Sequence, residues 1–401
     1  MEVQSGDLSS HGKRHSRQHH LLILLAFISF ISLGLPDTIL GVGWPFIRST
    51  FGKPIDSLAL LLLGGVSGYL TSSFLSGTIV RYIGVGKLLL ISSVLMTVTM
   101  LGDSIAPAFA WMVGLSFIGG LGAGAIDAGM NAFAAKHFSS RVMNWLHAFY
   151  GIGATIGPAM MTAIVSSHRS WRLGYLILAI TLGLLSVLFL LTIRLWEEKE
   201  EATSTDPTPH ATMTESLRLP MVWMQSLLFF IYCGIESTAS QLVFSLFTEG
   251  RGIRVSLAGS SIAAYWASLT IGRVIFGQAA TILSHTVILR IGTGLSVFAA
   301  FLIWWHPIAA VGIAGMVLLG FALAPIYPTL MSDTPLRMEK RFAAQSVGFQ
   351  VSAAALGIAA FPGLVSAIAR RHGLEVVCIY LVMATVVLLI LNETVTARRR
   401  V

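Results

Sequence analysis

Charge is scarce in this chain of 401 residues: only 11% are Asp, Glu, Lys or Arg, whereas 55% are hydrophobic. Soluble proteins carry about 25% charged residues, so a chain this apolar must expose much of its surface to lipid. Its two cysteines, Cys233 and Cys378, both lie in apolar stretches and provide neither a disulfide framework nor a thiolate metal site. Walker A, Rossmann, GxSxG and His/Cys metal-ligand patterns are missing as well. These absences argue against an enzyme, an ATP-driven pump and a metalloprotein.

Long apolar stretches are abundant instead, and a membrane-spanning helix needs roughly 20 such residues. Twelve stretches qualify: 21–47, 57–80, 87–102, 109–135, 145–167, 173–195, 219–247, 256–283, 285–305, 308–331, 342–369 and 374–392. Runs such as LLILLAFISFISLGL do not alternate between apolar and polar residues, as barrel strands do. The predicted fold class is therefore an all-α membrane protein with twelve transmembrane helices.

One long hydrophilic segment divides the chain. Residues 196–218 are rich in acidic, Thr and Pro residues, which is typical of a flexible tether. The predicted organisation is a tail at 1–20, a six-helix bundle at 21–195, this linker, a second six-helix bundle at 219–392 and a tail at 393–401. Glycines cluster inside the helices, where small residues allow the close packing that membrane helices need.

The net charge of +8 would suit a nucleic-acid partner, but its distribution favours a membrane topology. With the N-terminus inside, seventeen of the 26 Lys and Arg residues fall on the inner side and eight on the outer side. Cytoplasmic loops collect basic residues in this way. We therefore expect a multi-pass protein of the plasma (inner) membrane, with both termini cytoplasmic. The expected partners are membrane lipids and a small-molecule substrate, without nucleic acid, and the expected state is a monomer.

The two halves carry acids at related positions. Asp37 lies forty residues before Gly77, and Glu236 lies forty-one before Gly277. A charge within a membrane span is expensive and usually functional, and a duplicated bundle is typical of secondary transporters. Asp37 and Glu236 are the predicted proton-coupling residues. Two alternatives remain: Asp37 lies at a solvated rim if its helix ends near residue 40, and Glu236 forms a packing salt bridge with Arg273.

A second set of polar residues predicts a substrate site. Asp127 and Asn131 are four residues apart and therefore share a helix face. They could hold solute hydroxyls, or they could form a hydrogen-bonded pair that only fastens helices. The further candidate substrate contacts are Gln241, Tyr265, Trp266, Tyr327 and Gln350, and the candidate gating or charge-partner residues are Arg273, Arg81 and His147.

The six-plus-six plan resembles the major facilitator superfamily. The segment GTIVRYIGVGK resembles the superfamily loop between the second and third helices. Gly77, Gly84 and Lys87 fit that pattern, but Arg81 stands where an acid is expected. GIGATIGP in the fifth span resembles the glycine-proline pattern common in antiporters, which some symporters also carry.

A closer resemblance is to the fucose permease-like group of fucose–galactose–proton symporters. Its segments are GLPDTILGVGWP, GLGAGAIDAGMN, LHAFYGIGATIGP, YCGIES, YWASLTIGRVIFG, APIYPTLMS and GFQVSAAALGIAAFPG. This resemblance implies that the first-helix acid, here Asp37, couples protons and that the fourth-helix acid, here Asp127, contacts substrate. Because the fourth-helix acid is Asp rather than the longer Glu, the resemblance does not imply which sugar is carried.

The resulting hypothesis is a proton-coupled symporter of a small polar solute such as a monosaccharide. It needs no cofactor beyond the proton gradient, and sodium remains an alternative coupling ion. A drug or metabolite antiporter is the alternative that Glu236 and the fifth-span pattern favour. A membrane sensor that does not transport is the alternative from another class.

Overall fold

The computed structural model describes residues 5–196, 213–337 and 340–398, and all regular structure within them is helical. The α-helices are α1 (Ser5–Thr50), α2 (Leu58–Ile83), α3 (Val85–Ser104), α4 (Phe109–His137), α5 (Ser140–Ser166), α6 (Arg172–Thr192), α7 (Met213–Leu217), α8 (Pro220–Ser245), α9 (Val255–Ala279), α10 (His285–Trp305), α11 (Ala309–Leu323), α12 (Ile326–Arg337), α13 (Lys340–His372) and α14 (Val376–Arg398). The predicted all-α class is confirmed.

Eleven helical stretches in the described part of the chain are long and apolar enough to cross a membrane. The twelfth predicted span, 256–283, forms α9, which is less apolar because it carries several serines and Arg273. Helices α11 and α12 together make one crossing, Ala309–Arg337. Helix α1 begins at Ser5, upstream of the predicted span start at residue 21, and its membrane stretch runs from His19 to Thr50.

The two halves of the chain pack their helices in the same way. In the first half (α1–α6), α1 packs on α5, α2 on α4, and α3 on α4 and α6. In the second half (α8–α14), α8 packs on α13, α9 on α11, and α10 on α11 and α14. The repeat that the sequence shows only through hydropathy and a few landmarks is therefore a repeat of helix packing.

Two glycines at matching places in the halves explain part of this packing. A Cβ atom on Gly120 would lie 2.0 Å from the carbonyl oxygen of Gly65, where α4 crosses α2. A Cβ atom on Gly320 would lie 2.2 Å from the carbonyl oxygen of Tyr265, where α11 crosses α9. Both crossings require a glycine because the backbones touch, as small residues permit in membranes.

Ion pairs between the halves lie at one end of the molecule, which we call the closed end. The Arg48 guanidinium donates to Glu249 at 2.6 Å, and Arg370 donates to Asp56 at 3.1 Å. Nearby, a Cβ atom on Gly41 of α1 would lie 2.1 Å from a backbone oxygen of α8. Both ion pairs that join the halves within the described residues lie at this end.

Candidate functional site

Asp37 lies between the halves, near the middle of the first membrane stretch. Helix α1 continues to Thr50, so the alternative that places Asp37 at a solvated rim is wrong. Its carboxylate accepts a hydrogen bond from the Tyr150 hydroxyl of α5, and it interacts electrostatically with Asp127 and Glu236. Its side chain is nevertheless exposed. An exposed carboxylate this deep in the protein borders an internal cavity between the halves.

Asp127 forms a second polar group on the same cavity. The Tyr69 hydroxyl of α2 donates to one of its carboxylate oxygens at 2.5 Å, and the Asn131 amide donates to the other at 2.9 Å. The predicted shared face of Asp127 and Asn131 is therefore confirmed, and the two residues are hydrogen-bonded to each other. Both are only half-buried. Because each carboxylate oxygen can accept more than one hydrogen bond, Asp127 can still accept from a solute.

Glu236 brings a third carboxylate to the cavity from the second half. It accepts a hydrogen bond from Tyr232, one turn earlier on α8. The guanidinium of Arg273 is close enough to interact electrostatically with Glu236, but among the described ion pairs none joins these two residues. Buried Arg273 Nε has no hydrogen-bond partner. The packing salt bridge considered for Glu236 is therefore not formed.

Each of the three cavity carboxylates thus has its own tyrosine: Tyr150, Tyr69 and Tyr232. Sequence reasoning missed all three. Tyr232 could have been found, because it lies four residues before Glu236 and so shares its helix face. The other two come from helices that are distant in sequence, and only the fold brings them to their acids.

Tyr327 and His147 lie within electrostatic range of charged groups near the cavity. Helix α12 starts at Ile326 and so places Tyr327 at the break in the tenth crossing. The Tyr327 ring meets Phe229 edge to face with 5.0 Å between centroids, and its hydroxyl interacts electrostatically with Asp127 and Glu236. His147 is exposed and lies within electrostatic range of Arg273. Both residues are therefore positioned to contact a solute or the charges that hold it.

Three predicted substrate contacts pack between α8 and its neighbours instead of lining the cavity. Trp266 is buried and donates to the Ser240 hydroxyl at 3.1 Å. Tyr265 is fully buried and donates to the backbone oxygen of Glu236 at 3.4 Å. Gln241 is buried at the contact between α8 and Gly41 of α1. In the described conformation these side chains fix helices, because their exposed surface is too small to meet a solute.

Two further candidates also lie away from the cavity. Gln350 is fully buried, donates to Gln225 at 2.7 Å and accepts from Thr334 at 3.0 Å, so it ties α13 to α8 and α12. Arg81 is exposed near the end of α2, and no ion pair within the described residues includes it. Gln350 therefore contributes to helix packing, and Arg81 lies outside the site.

The described residues contain no group of three or more His, Cys, Asp and Glu that could hold a metal ion. The chemistry that this site offers is hydrogen bonding by carboxylates, hydroxyls and one guanidinium, together with proton binding by the carboxylates.

Comparison with known proteins agrees with this arrangement. The profile of the Major Facilitator Superfamily matches residues 22–391. The chain is 20% identical over 327 residues to the glucose/mannose transporter GlcP of Bacillus subtilis (strain 168), covering 79% of this chain and 80% of that protein. It is 24% identical over 386 residues to the human sodium-dependent glucose transporter 1, covering 86% of this chain and 73% of that protein.

Two solved structures have the same fold at low identity. A mutant form of the nucleoside transporter NupG superposes with a TM-score of 0.75 at 12% identity, covering 93% of this chain and 99% of that one. A POT family transporter in complex with a thioalcohol-conjugated peptide superposes with a TM-score of 0.73 at 15% identity, covering 95% of this chain and 96% of that one.

Proposed function

The chain belongs to the major facilitator superfamily, and from this premise we propose that it imports a monosaccharide in symport with protons. Membership makes the chain a multi-pass membrane transporter rather than an enzyme. Two of its relatives are named as transporters of glucose or of glucose and mannose. These names, and the resemblance to fucose permease-like symporters, support a sugar as the substrate.

The observation that carries the proposal is a set of three carboxylates around one cavity. Each of them accepts a hydrogen bond from a tyrosine hydroxyl. Asp37, Asp127 and Glu236 can each accept hydrogen bonds from sugar hydroxyls. A site that hydrogen-bonds hydroxyls discriminates strongly against analogues that lack them. Tyr327 adds an aromatic ring. This composition suits a neutral, polyhydroxylated solute better than an apolar drug.

Proton coupling is assigned to Asp37. A charged carboxylate within a membrane span is costly, so a proton from the more acidic side neutralises Asp37 and favours passage of the loaded carrier. With the N-terminus inside, as the basic residues indicate, the closed end faces outward and the cavity opens to the cytoplasm. The described conformation is then the one that releases sugar and proton inward.

Uptake into proteoliposomes tests the proposal. Labelled glucose, mannose, fucose and galactose are offered with an imposed pH gradient, acidic outside. We expect at least one sugar to accumulate above equilibrium and a protonophore to abolish that accumulation. If none of the sugars moves, in net uptake or in exchange, the proposal is wrong.

A parallel arm replaces the pH gradient with a sodium gradient at equal pH. One relative is named as sodium-dependent, which makes sodium the second candidate coupling ion. Accumulation in this arm alone would assign sodium and not the proton as the coupling ion, and it would leave the sugar assignment intact.

Asp127 is expected to control affinity rather than coupling. We predict that Asp127→Asn raises the KM for sugar exchange roughly 10- to 150-fold, because a hydrogen bond to a charged group contributes about 1.5–3 kcal/mol. Exchange at equal pH on both sides isolates this effect from the proton gradient. Tyr69→Phe, which removes the donor to Asp127, is the milder companion variant and should raise KM less. An unchanged KM in Asp127→Asn would mean that Asp127 only fastens helices and does not bind the sugar.

The ion pair between Arg48 and Glu249 is expected to stabilise the closed end. Partly exposed pairs contribute up to about 1 kcal/mol, so Arg48→Glu should lower the population of the described conformation roughly fivefold. Distances between spin labels on the exposed loops of the two halves at this end measure that population. The double variant Arg48→Glu with Glu249→Arg should restore it. A double variant no better than the single one would show that the pair does not hold the halves together.

A further inference from the structure

Helices α1 and α5 touch through their backbones beside Asp37. A Cβ atom on Gly34 would lie 2.2 Å from the carbonyl oxygen of Tyr150, and one on Gly153 would lie 2.1 Å from the carbonyl oxygen of Ile31. The two helices therefore have no side-chain layer between them at this level. The Tyr150 hydroxyl, which donates to Asp37, lies beside this backbone contact of α5 with α1.

The next residue of α5 contacts the other half of the protein. A Cβ atom on Gly151 would lie 2.1 Å from the Thr270 hydroxyl of α9, and farther along the same pair of helices Gly259 of α9 packs against Thr162 of α5. Tyr150 thus stands between the acid of the first half and the seam where α5 meets the second half.

We propose that Tyr150 is the positioning residue that transmits the protonation state of Asp37 to the α5–α9 seam. A charged Asp37 accepts the tyrosine hydroxyl hydrogen bond strongly and holds α5 against α1. A protonated Asp37 accepts it weakly, because hydrogen bonds to ionised groups are roughly twice as strong as neutral ones. Protonation thereby loosens α5 where it contacts α9 and frees the halves to move. This inference rests on the proposed function and goes beyond it in assigning the residue that links proton to motion.

Several other groups face Asp37 or its tyrosine. Asp127 of α4, Glu236 of α8 and Tyr69 of α2 interact electrostatically with Asp37, and Arg273 of α9 interacts with Tyr150. Of these neighbours, none donates a described hydrogen bond to Asp37; the Tyr150 hydroxyl does. The direct contact therefore belongs to Tyr150, whereas the other groups act on Asp37 through their charges.

The experiment compares wild type with Tyr150→Phe in proteoliposomes, using sugar exchange at equal pH, sugar accumulation under a pH gradient, and the pH profile of uptake. At saturating sugar we expect exchange to fall less than accumulation, accumulation to fall toward the equilibrium ratio, and the midpoint of the pH profile to rise. The rise should be about one pH unit, because a carboxylate that loses a charge-assisted donor holds its proton more tightly. Tyr82→Phe, at an exposed tyrosine near the end of α2, is the matched control and should behave as wild type.

Two results would overturn the inference. If Tyr150→Phe matches wild type in accumulation and in pH profile, Tyr150 does not transmit protonation. If Tyr150→Phe does not fold, Thr270→Ala tests the same path from the α9 side, and unchanged accumulation in that variant also overturns the inference. Failure of the proposed function is distinct, because wild type itself would then neither exchange nor accumulate a sugar.

Discussion

Asp37→Asn is expected to abolish accumulation of sugar against its gradient while sugar-for-sugar exchange continues. The amide has nearly the shape of the carboxyl group and its oxygen can still accept the Tyr150 hydroxyl, so the fold around it should persist. It cannot release a proton, however, and therefore behaves as a permanently protonated acid. Steady-state accumulation under a pH gradient, measured beside counterflow at equal pH, separates the two activities. The accumulation ratio should fall to about one, and uptake should lose its dependence on pH.

Glu236→Gln provides the matched comparison for that experiment, because Glu236 occupies the related position in the first helix of the second half. We expect this variant to retain accumulation, measured at saturating sugar so that a change in affinity does not enter the result. If instead Glu236→Gln loses accumulation and Asp37→Asn keeps it, the coupling acid lies in the second half. The two variants together therefore show which of the two acids at related positions of the repeat, Asp37 or Glu236, couples the proton.

The helical class and eleven of the twelve predicted crossings could be predicted because lipid imposes them. A span must satisfy its own backbone hydrogen bonds in hydrocarbon, so composition and length alone locate the apolar helices. Composition and length do not predict where a helix ends, and α1 is an example. The prediction left Asp37 either at mid-span or at a solvated rim, since the helix that Pro36 weakens could have ended near residue 40. Tertiary packing keeps the helix continuous to Thr50, and the local sequence does not predict this continuity.

The sequence predicts those site residues that are rare within membrane spans. It does not predict site residues of types that are common there. Asp37, Asp127 and Glu236 stand out because charges in a span are rare. Tyr150 does not, because a tyrosine in an apolar helix is as readily a packing residue. The same ambiguity made Trp266 and Gln350 candidates. Each proves to be held by a buried partner on a neighbouring helix, and such a partner is a property of the fold.

Gly41→Val is expected to stop the transport cycle by preventing closure of the end held by Arg48. Gly41 lies where α1 meets α8 across the two halves, and a Cβ atom there would lie 2.1 Å from the carbonyl oxygen of Ser240. Because the obstacle is backbone, no side-chain rotation relieves it, and the halves must separate at this end. Overpacking of this kind costs roughly 1–3 kcal/mol, which would lower the population of the closed conformation about 5- to 150-fold.

The initial rate of sugar uptake and the spin-label distance across the closed end are the two measurements for this variant. Both exchange and accumulation should fall together, unlike in Asp37→Asn, because every turnover must pass through the closed conformation. The label distance should lengthen at the same time. Gly114→Ala is the matched control, since Gly114 is exposed and a Cβ atom there meets nothing within 4 Å, so uptake should stay at the wild-type rate. Wild-type uptake in Gly41→Val would mean that the halves do not need this backbone contact, and the closed end would then be held by its ion pairs rather than by the α1–α8 crossing.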